Sequence, residues 1–283
     1  MDLSVNLAGI ELEHPLMNAA GTCKTFEEVI QLSRSASSAI VVGSITLEAR
    51  IGNAGFSNPG AAYYREYFPL MRSYAHDHGK PLFVSVAGFS PEEYVLLTEL
   101  AFSGGADLLE LNLGCLTIVH GVERMSPACF DSSLVRDILV RVERAVRSRI
   151  PVAVKISPFS KSSALAEFAR TIGGLEVVRV VTAINAPPNT FVFGQKGSPG
   201  ITPHGGFVGP ALRPIGLRHV QWLRSLLPPR IQIVGVGGIG RGGDILEYRW
   251  CGADAVQIAT AYFEHKEGVF ISLLSEFINS MDV

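Results

Sequence analysis

The chain has 283 residues, of which 47% are hydrophobic and 18% are charged, and its formal net charge is −2. A nearly neutral chain with scattered basic residues gives no reason to expect nucleic acid or an anionic membrane as a partner. No apolar segment approaches the ~20 residues that a membrane span needs, and the N-terminus does not have the basic-then-apolar pattern of a signal peptide. The composition therefore predicts a soluble cytoplasmic protein.

The four cysteines are Cys23, Cys115, Cys129 and Cys251. In a chain of this length they do not make a disulfide framework, and none has the CxxC or Cys/His spacing of a metal site. No metal is therefore expected. Three of the cysteines are expected to be small buried hydrophobic residues, whereas Cys115 is set apart by its position just after an apolar run.

Eight short apolar runs rich in β-branched residues recur along the chain, and each ends in small or polar residues. Near-continuous hydrophobicity of this kind indicates strands that are buried on both faces of a parallel sheet. The eight predicted strands are residues 15–21, 39–46, 81–88, 107–114, 151–157, 180–185, 231–238 and 255–261.

Helical segments alternate with these strands. Residues 25–28 and 90–93 both have the spacing of a capping box, the second with a proline at the first helical position. Further helices are predicted at residues 131–146, 162–172, 215–227, 243–252 and 266–278. Eight strands that alternate with helices predict a (β/α)8 TIM barrel, formed by residues 1–283 as a single domain, with a doubly wound open sheet as the alternative.

Two connections are unusually long, at residues 47–80 and 186–230, and both contain stretches rich in glycine, asparagine and proline. Loops of more than ~15 residues in a compact domain tend to be functional or mobile. Active sites of (β/α)8 barrels lie at the C-terminal ends of the strands. We therefore expect both connections to lie over this mouth of the barrel.

The segment GVGGIG at residues 235–240 fits the GxGxxG pattern of dinucleotide-binding proteins. That pattern requires an acidic residue at the end of the next strand, but here the strand ends in Ala259 and Thr260. Glycines after the seventh strand and a small/hydroxyl pair after the eighth are typical of the phosphate site of a barrel, where backbone N–H groups and a helix N-terminus bind the anion. The sequence favours a phosphorylated ligand or cofactor over a glycine turn of purely structural role.

Lys155 is a charged residue in the otherwise apolar strand PVAVKIS. Because a buried lysine needs an anionic partner, it either pairs with a barrel carboxylate such as Glu110 or faces the mouth and supports an anionic ligand, and the second reading is favoured. Asn18, Asn112 and Asn185 lie at or near strand ends, where amides can hydrogen-bond a polar ring or a carbonyl. Each could equally be a turn-forming or backbone-satisfying residue.

Cys115 follows the fourth strand in the loop NLGCLT, which continues with Thr117 and His120. A thiol with an ordinary pKa of ~8.5 can serve as a general base where its surroundings favour the thiolate. His120 is a second candidate base, although the sequence fits a solvated loop residue at this position at least as well.

The strand-end motifs resemble those of the dihydroorotate dehydrogenase family, in particular its soluble class 1 members. The resemblance runs through most of the chain, in NAAGT, ITLEARIGN, VAGFS, NLGC, VKISP, AIN, GGFVGPALRP, GVGGI and QIATA. It implies an eight-stranded barrel that holds FMN, with the phosphate on the last two βα loops. This location agrees with the site expected from the glycines.

The resemblance implies that Cys115 is the catalytic base, which removes the acidic C–H next to a carbonyl while the adjacent carbon gives hydride to the flavin N5. It places Lys155 beside the N1/O2 edge of the flavin, where a positive charge stabilises the reduced cofactor. The other positions implied to contact FMN are Ala20, Gly21, Ser44, Asn185, Gly209, Gly237, Gly238, Ala259 and Thr260. Asn112 and Asn185 correspond to amides that bind the substrate ring.

Several positions depart from the family pattern. Gly43 stands where the family has a lysine that contacts flavin and substrate. The family motif NxSCPN reads NLGCLT here, so Gly114 replaces a serine and Thr117 replaces a substrate-binding asparagine. Ala186 replaces a further serine. A further substrate asparagine has only Asn53 or Asn58 as a substitute. Loss of a charged hydrogen bond costs on the order of 1.5–3 kcal/mol, so two or three losses would weaken binding of dihydroorotate by orders of magnitude.

The sequence therefore favours an FMN-dependent oxidoreductase that acts on a different small cyclic amide or carboxylic compound. One alternative is a genuine dihydroorotate dehydrogenase that compensates with loop residues such as Lys196 or Arg50. Another is a non-catalytic flavin- or phosphate-binding barrel, against which the retention of Cys115 and Lys155 speaks. The resemblance suggests a homodimer, and an iron–sulfur/flavin electron-transfer subunit is possible, although the chain has no cluster-binding cysteine pattern.

Overall fold

The structure is a computed structural model that describes residues 2–50, 57–114, 116–119, 122–147, 149–187 and 206–281. Its strands are β1 (Val5–Leu7), β2 (Ile10–Leu12), β3 (Leu16–Asn18), β4 (Ile40–Ile45), β5 (Leu82–Val86), β6 (Leu108–Asn112), β7 (Leu116–Val119), β8 (Val122–Pro127), β9 (Val152–Ile156), β10 (Val178–Ala183), β11 (Gln232–Val236) and β12 (Ala255–Ile258). Its helices are α1 (Phe26–Ser33), α2 (Ala61–Asp77), α3 (Pro91–Ser103), α4 (Ser132–Val146), α5 (Ser162–Gly173), α6 (Arg213–Leu226), α7 (Gly242–Trp250), α8 (Thr260–His265) and α9 (Gly268–Met281).

Eight strands form one parallel sheet in the order β3-β12-β11-β10-β9-β6-β5-β4. The two edge strands, β3 and β4, are joined through the side chain of Asn18, whose Oδ1 accepts from the Val41 N–H and whose Nδ2 donates to the Val41 carbonyl, both at 2.9 Å. The sheet therefore closes on itself, which confirms the predicted TIM barrel and excludes the open sheet. Of the two roles considered for Asn18, the backbone-satisfying one is correct.

A hairpin of β1 and β2, which the sequence did not predict, covers the N-terminal end of the barrel. Its two-residue turn places Ala8 and Gly9 at φ values of 54° and 91°, as a tight antiparallel connection requires. Leu7 and Leu12 are 1% exposed and join a hydrophobic cluster inside the barrel with residues such as Phe83. The hairpin thus closes the end opposite the mouth, so a ligand can enter only from the C-terminal end of the strands.

The connection predicted at residues 47–80 is largely a helix, α2. Tyr64, Phe68, Met71 and Ala75 recur at helical spacing and are buried against the barrel. Pro69 lies inside this helix on its exposed side, where the missing N–H removes one backbone bond. A helix interrupted by proline gives a weak sequence pattern, and the long-loop prediction was wrong for this reason.

The two predicted capping boxes differ. At α1, Thr25 accepts from the Glu28 N–H at 3.3 Å and the Glu28 carboxylate accepts from the Thr25 N–H at 3.0 Å, so this box is confirmed. At α3, Ser90 caps the Glu93 N–H, but the Glu93 carboxylate accepts from the Phe89 N–H instead. None of the described helices is long and apolar enough to span a membrane.

Candidate active site

Four polar side chains form one hydrogen-bonded group at the mouth of the barrel, and we refer to Ser44, Ser85, Asn112 and Asn185 as the rim cluster. The Ser44 and Ser85 hydroxyl oxygens are 3.0 Å apart, and Asn112 Nδ2 donates to Ser44 Oγ at 2.8 Å. Asn185 Nδ2 donates to Asn112 Oδ1 at 3.2 Å. The structure thus brings together three residues predicted from the sequence. The fourth, Ser85, was missed, although a lone hydroxyl in the apolar strand PLFVSVAG pointed to it.

Backbone contacts between neighbouring strand ends hold the rim cluster in place. Asn112 Oδ1 also accepts from the Gly114 N–H at 3.2 Å, and the Asn185 N–H donates to the Ile156 carbonyl at 2.7 Å. A Cβ added to Gly114 would lie 2.9 Å from the Asn185 Cβ and 2.9 Å from the Ser157 nitrogen. Gly114, one of the departures from the family motif, is therefore the residue that allows Asn185 to approach Asn112.

A second polar group lies inside the barrel, and we refer to Glu110, Lys155, Thr182 and Gln257 as the floor cluster. All four are at most 4% exposed. Lys155 Nζ donates to Gln257 Oε1 at 3.3 Å and is 4.0 Å from Glu110 Oε1. Thr182 Oγ1 donates to Glu110 Oε2 at 2.8 Å, and Gln257 Nε2 lies 3.4 Å from the same oxygen. The charged pair is thus surrounded by neutral hydrogen-bonding groups.

The floor cluster begins at the level of the rim cluster and extends below it. Asn112 and Lys155 are level in the sheet register, and Glu110 is two residues nearer the bottom of the same strand as Asn112. The cavity beside Glu110, Thr182 and Gln257 has a volume of only about 10 Å³, which is room for about one water molecule. A cofactor or substrate therefore has to bind above this cavity. Of the two roles considered for Lys155, the pairing with Glu110 is observed, and the support of an anionic ligand stays a prediction.

Gly43 is required by the local backbone. Its φ is +113°, and an added Cβ would overlap the carbonyl oxygen of Ser85. The Gly43 N–H donates to the Cys23 carbonyl at 2.9 Å, which brings the next residue, Lys24, alongside this position. Lys24 is buried, and its ammonium donates to the carbonyl of Ser57. Sequence reasoning missed this cation, although a charge among the small residues that precede α1 is unusual.

The segment after β4 contains two residues that were weighed as substitutes for missing substrate contacts. Asn58 is buried, and its Oδ1 accepts from the Thr46 N–H at 3.3 Å and from the Gly60 N–H at 3.0 Å. This carbonyl oxygen shapes the loop, so the substrate role considered for Asn58 is wrong. Arg50 places its guanidinium 4.0 Å from the centre of the Phe89 ring, a cation–π contact at the end of β5.

The glycines after β11 have different roles. A Cβ on Gly235 would overlap the ring of Tyr248, and a Cβ on Gly238 would lie 2.7 Å from the Arg213 nitrogen and 2.9 Å from the Gly209 carbonyl oxygen. The Tyr248 hydroxyl donates to the Gly237 carbonyl at 2.8 Å. The structural interpretation of the glycine turn is therefore correct for Gly235. Close packing also favours a glycine at position 238.

The first turn of α7 uses its own N–H groups internally. Asp244 Oδ2 accepts from the N–H groups of Gly240 at 2.9 Å and Arg241 at 3.1 Å. The Gly242 N–H donates to Glu276 of α9 at 2.7 Å. These N–H groups of α7 are therefore engaged within the protein and do not provide the predicted phosphate site.

Other backbone donors meet the requirements of a phosphate site. The N–H groups of Gly237, Gly238, Ala259 and Thr260 are at the ends of neighbouring strands β11 and β12, and all four residues are half-buried. Within the residues that the structure describes, these N–H groups donate to no backbone or side-chain acceptor. Four free donors on two adjacent βα loops fit the phosphate of a bound cofactor.

The remaining predicted residues lie partly inside and partly outside the described residues. Thr117 belongs to β7, which pairs with β8 in a hairpin that was not predicted as strands. Ala186 is half-buried and packs so closely against Gly206 that a Cβ there would lie 2.8 Å from the Ala186 Cβ. The predicted residues that lie outside the described residues are Cys115, Asn53, His120 and Lys196.

The other three cysteines differ in burial. Cys23 and Cys129 are fully buried, as predicted, whereas Cys251 at the end of α7 is half-buried, so the prediction was wrong for that residue. Burial raises the pKa of the Cys23 thiol well above its ordinary value, and burial also raises the pKa of Cys251, with a contribution from Glu247. Neither thiol therefore ionises readily at neutral pH.

Comparison with known proteins agrees with the barrel and its mouth. A family model described as dihydroorotate dehydrogenase matches residues 2–281. The catalytic subunit of dihydroorotate dehydrogenase B (NAD(+)) from Thermoplasma acidophilum is 31% identical over 99% of this chain and 94% of its own length. Dihydroorotate dehydrogenase A (fumarate) from Limosilactobacillus reuteri is 31% identical over 92% of this chain and 87% of its own length. A probable dihydroorotate dehydrogenase A (fumarate) from Streptococcus pneumoniae is also 31% identical, over 93% of this chain and 87% of its own length. The chain therefore belongs to the dihydroorotate dehydrogenase family, a family of flavin-dependent oxidoreductases that act on CH–CH bonds.

Proposed function

We propose that this protein is an FMN-dependent oxidoreductase that interconverts CH–CH and C=C next to a carbonyl in a small cyclic amide or carboxylic substrate other than dihydroorotate. The observation that carries the proposal is the position of the rim cluster next to the floor cluster. Amides and hydroxyls suited to a polar ring lie at the same level of the barrel as a buried lysine, with Glu110 below it. A barrel that only held a phosphate would need neither group.

FMN, when bound, supplies an acceptor for hydride at N5. Its phosphate would take the N–H groups of Gly237, Gly238, Ala259 and Thr260, beside which Gly209 lies. The ring system would lie along Ala20, Gly21 and Ser44, each of which is half-buried at the end of a strand. The Lys155 ammonium below the mouth would stabilise the negative charge that the ring gains on reduction. The described residues thus provide both a phosphate site and a cationic floor for the cofactor.

We assign the role of general base to Cys115, three residues after Asn112 in the sequence. Its thiolate would take the proton from the carbon next to the carbonyl, and the neighbouring carbon would lose hydride. A C=C bond forms, and the substrate is oxidised by two electrons. Asn112 and Asn185 would orient the ring by hydrogen bonds, with Thr117 and Ala186 beside it and Asn53 as a loop contact.

Two features of the structure support a substrate other than dihydroorotate. The backbone at Gly43 excludes a side chain, so a lysine cannot take this position without rearrangement of β4 and β5. The amide oxygen of Asn58 is engaged by the loop that contains it. A lysine at position 43, or an Asn58 amide directed at the mouth, would otherwise provide contacts to a carboxylated ring. The rim cluster itself is neutral and favours a neutral polar portion of the substrate.

A genuine dihydroorotate dehydrogenase remains the second candidate function. It is favoured by the names of the relatives, which are described as fumarate-linked and NAD(+)-linked dihydroorotate dehydrogenases. Two cations near the mouth, Lys24 and Arg50, could replace the missing lysine in this reading.

The two candidates are separated by the behaviour of the purified protein. We expect a yellow protein that retains about one FMN per chain, and a colourless protein without affinity for FMN would exclude both. Anaerobic mixing with a panel of cyclic amides and carboxylic acids, with dihydroorotate included, is then followed by bleaching of the flavin. Reduction by a panel member at concentrations where dihydroorotate has no effect would support the first candidate, and the opposite result would support the second.

The cytoplasmic location and the homodimer remain predictions. The Thermoplasma acidophilum relative is named as a catalytic subunit, so a separate electron-transfer subunit is also to be tested for this chain. Light scattering of the purified protein gives its mass in solution. A mass of twice the 30.4 kDa of the chain would support the homodimer, and a mass of 30.4 kDa would contradict it.

A further inference from the structure

The carboxylate of Glu110 is the most unusual group in the barrel interior. It is 2% exposed, and Thr182 and Gln257 both direct their donors at Oε2. Oε1 accepts no hydrogen bond from the described residues, and the ammonium of Lys155, 4.0 Å away, is the cation paired with it. A carboxylate oxygen without a hydrogen bond is costly to bury, so its direction toward Lys155 needs an explanation.

We propose that Glu110 is a positioning residue that sets how much positive charge Lys155 presents to the bound cofactor. The inference rests on the proposed function, because it concerns the same FMN site. Glu110 lies below Lys155 and does not reach the mouth, so it acts only through the lysine. Its negative charge draws the ammonium down and offsets part of its field, which limits the stabilisation of reduced flavin.

The neighbouring groups cannot take this role. The residues that line the cavity around Glu110 are apolar apart from Thr182 and Gln257, which are neutral. The Gln257 carbonyl accepts from Lys155 and fixes the direction of its head group, but it carries no charge. Attraction between opposite charges is strengthened where water is excluded, so Glu110, the carboxylate paired with Lys155 among the described residues, dominates the electrostatic environment of the lysine.

The test is the midpoint potential of FMN in the holoenzyme, measured for the unmodified protein and for Glu110→Gln, which keeps the shape but removes the charge. We expect the equilibrium to shift about tenfold toward reduced flavin, a rise of ~30 mV for a two-electron couple. In the Lys155→Met background the same substitution should produce less than half of this shift. A shift of equal size in both backgrounds, or no shift in the first, would overturn the inference.

Thr182→Val is the matched control, because it removes a hydrogen bond to Glu110 without a change of charge. It should lower the thermal unfolding temperature but move the flavin equilibrium less than twofold. If it moves the equilibrium as far as Glu110→Gln, the effect reports packing and the inference fails. If Glu110→Gln does not fold, Glu110→Asp keeps the charge but withdraws it by one methylene. It should shift the equilibrium in the same direction by two- to tenfold, and the absence of a shift would refute the inference.

The outcomes distinguish the inference from the proposed function. If the unmodified protein and Glu110→Gln both bind FMN with the same midpoint potential, the role of Glu110 is overturned and the proposed function stays intact. A protein that binds no FMN would overturn both. Thermal unfolding of the four FMN-free proteins of the Glu110/Lys155 cycle is a readout independent of the flavin. If the effects of the two substitutions on the stability of these FMN-free proteins are additive, the residues are not coupled and the inference also fails.

Discussion

The floor cluster and the rim cluster lie next to each other and share strand β6, yet they differ in charge and exposure. The floor cluster contains an ion pair and is at most 4% exposed, whereas the rim cluster is neutral and includes the half-buried Ser44 and Asn185. A buried charge is fixed in place by its partners, while a half-buried neutral amide such as that of Asn185 can exchange one hydrogen bond for another. The difference teaches that the floor cluster suits a fixed role beside a cofactor, whereas the rim cluster suits contacts that adapt to a substrate.

The largest expected effect concerns Cys115, to which we assign the role of general base. Cys115→Ala should slow reduction of bound flavin by ~10²–10⁴-fold, the range associated with loss of a general base. Anaerobic stopped-flow absorbance with the best substrate of the panel measures this rate. Cys251→Ala is the matched control, since this thiol is half-buried with a raised pKa, and it should leave the rate unchanged. An unchanged rate in Cys115→Ala would move the role of base to another residue, with His120 next.

The second prediction compares the stability that each cluster provides. Glu110→Ala leaves the buried Lys155 ammonium without its partner and should cost about 3–5 kcal/mol of unfolding free energy. Asn112→Ala removes neutral hydrogen bonds from the rim cluster and should cost about 1–3 kcal/mol. Chemical denaturation of the FMN-free proteins measures both. Equal losses would show that the ion pair is not the stronger of the two elements.

The third prediction concerns the backbone that supports the rim cluster. Gly43→Ala adds a Cβ that overlaps the Ser85 carbonyl oxygen at a φ of +113° and should cost about 2–4 kcal/mol. Gly9→Ala is the matched control, because its φ of +91° is similarly strained but its Cβ would meet nothing within 4 Å. Strain alone should cost about 1–2 kcal/mol there. If both substitutions cost the same, the overlap with Ser85 does not exclude a side chain at Gly43.

The smallest expected effect is at Gly114. Gly114→Ser restores the residue of the family motif, but its Cβ would lie 2.9 Å from the Asn185 Cβ and should displace this amide. We expect KM for the best substrate to rise by about tenfold, equivalent to about 1.4 kcal/mol, with a smaller change in kcat. Steady-state kinetics provide the measurement. An unchanged KM would show that Asn185 does not contact the substrate.

Much of the fold could be predicted because parallel strands that are buried on both faces leave long apolar runs in the sequence. The strands predicted at residues 107–114 and 151–157 are both confirmed, as the slightly shorter β6 and β9. The β1–β2 hairpin was missed because strands of three residues are too short to show an alternating pattern. Helix α2 was missed because Pro69 and exposed polar residues obscure its period.

The candidate site was predicted in part for a similar reason. Strand ends can be located from sequence, so Ser44, Asn112 and Asn185 could be placed at one mouth. The pairing of Glu110 with Gln257 depends on which side chains face inward at the same level of a closed barrel, and no local pattern encodes it. Asn58 was misjudged because its amide is used by the turn that contains it.

The central claim is that the site keeps the flavin chemistry but not the recognition of dihydroorotate. Anaerobic stopped-flow mixing of the FMN-loaded protein with micromolar dihydroorotate tests it most directly, with dithionite as the control that the flavin can be reduced. We predict that the flavin absorbance stays unchanged with dihydroorotate and is lost with dithionite. Rapid bleaching at micromolar dihydroorotate would contradict the claim and establish a genuine dihydroorotate dehydrogenase.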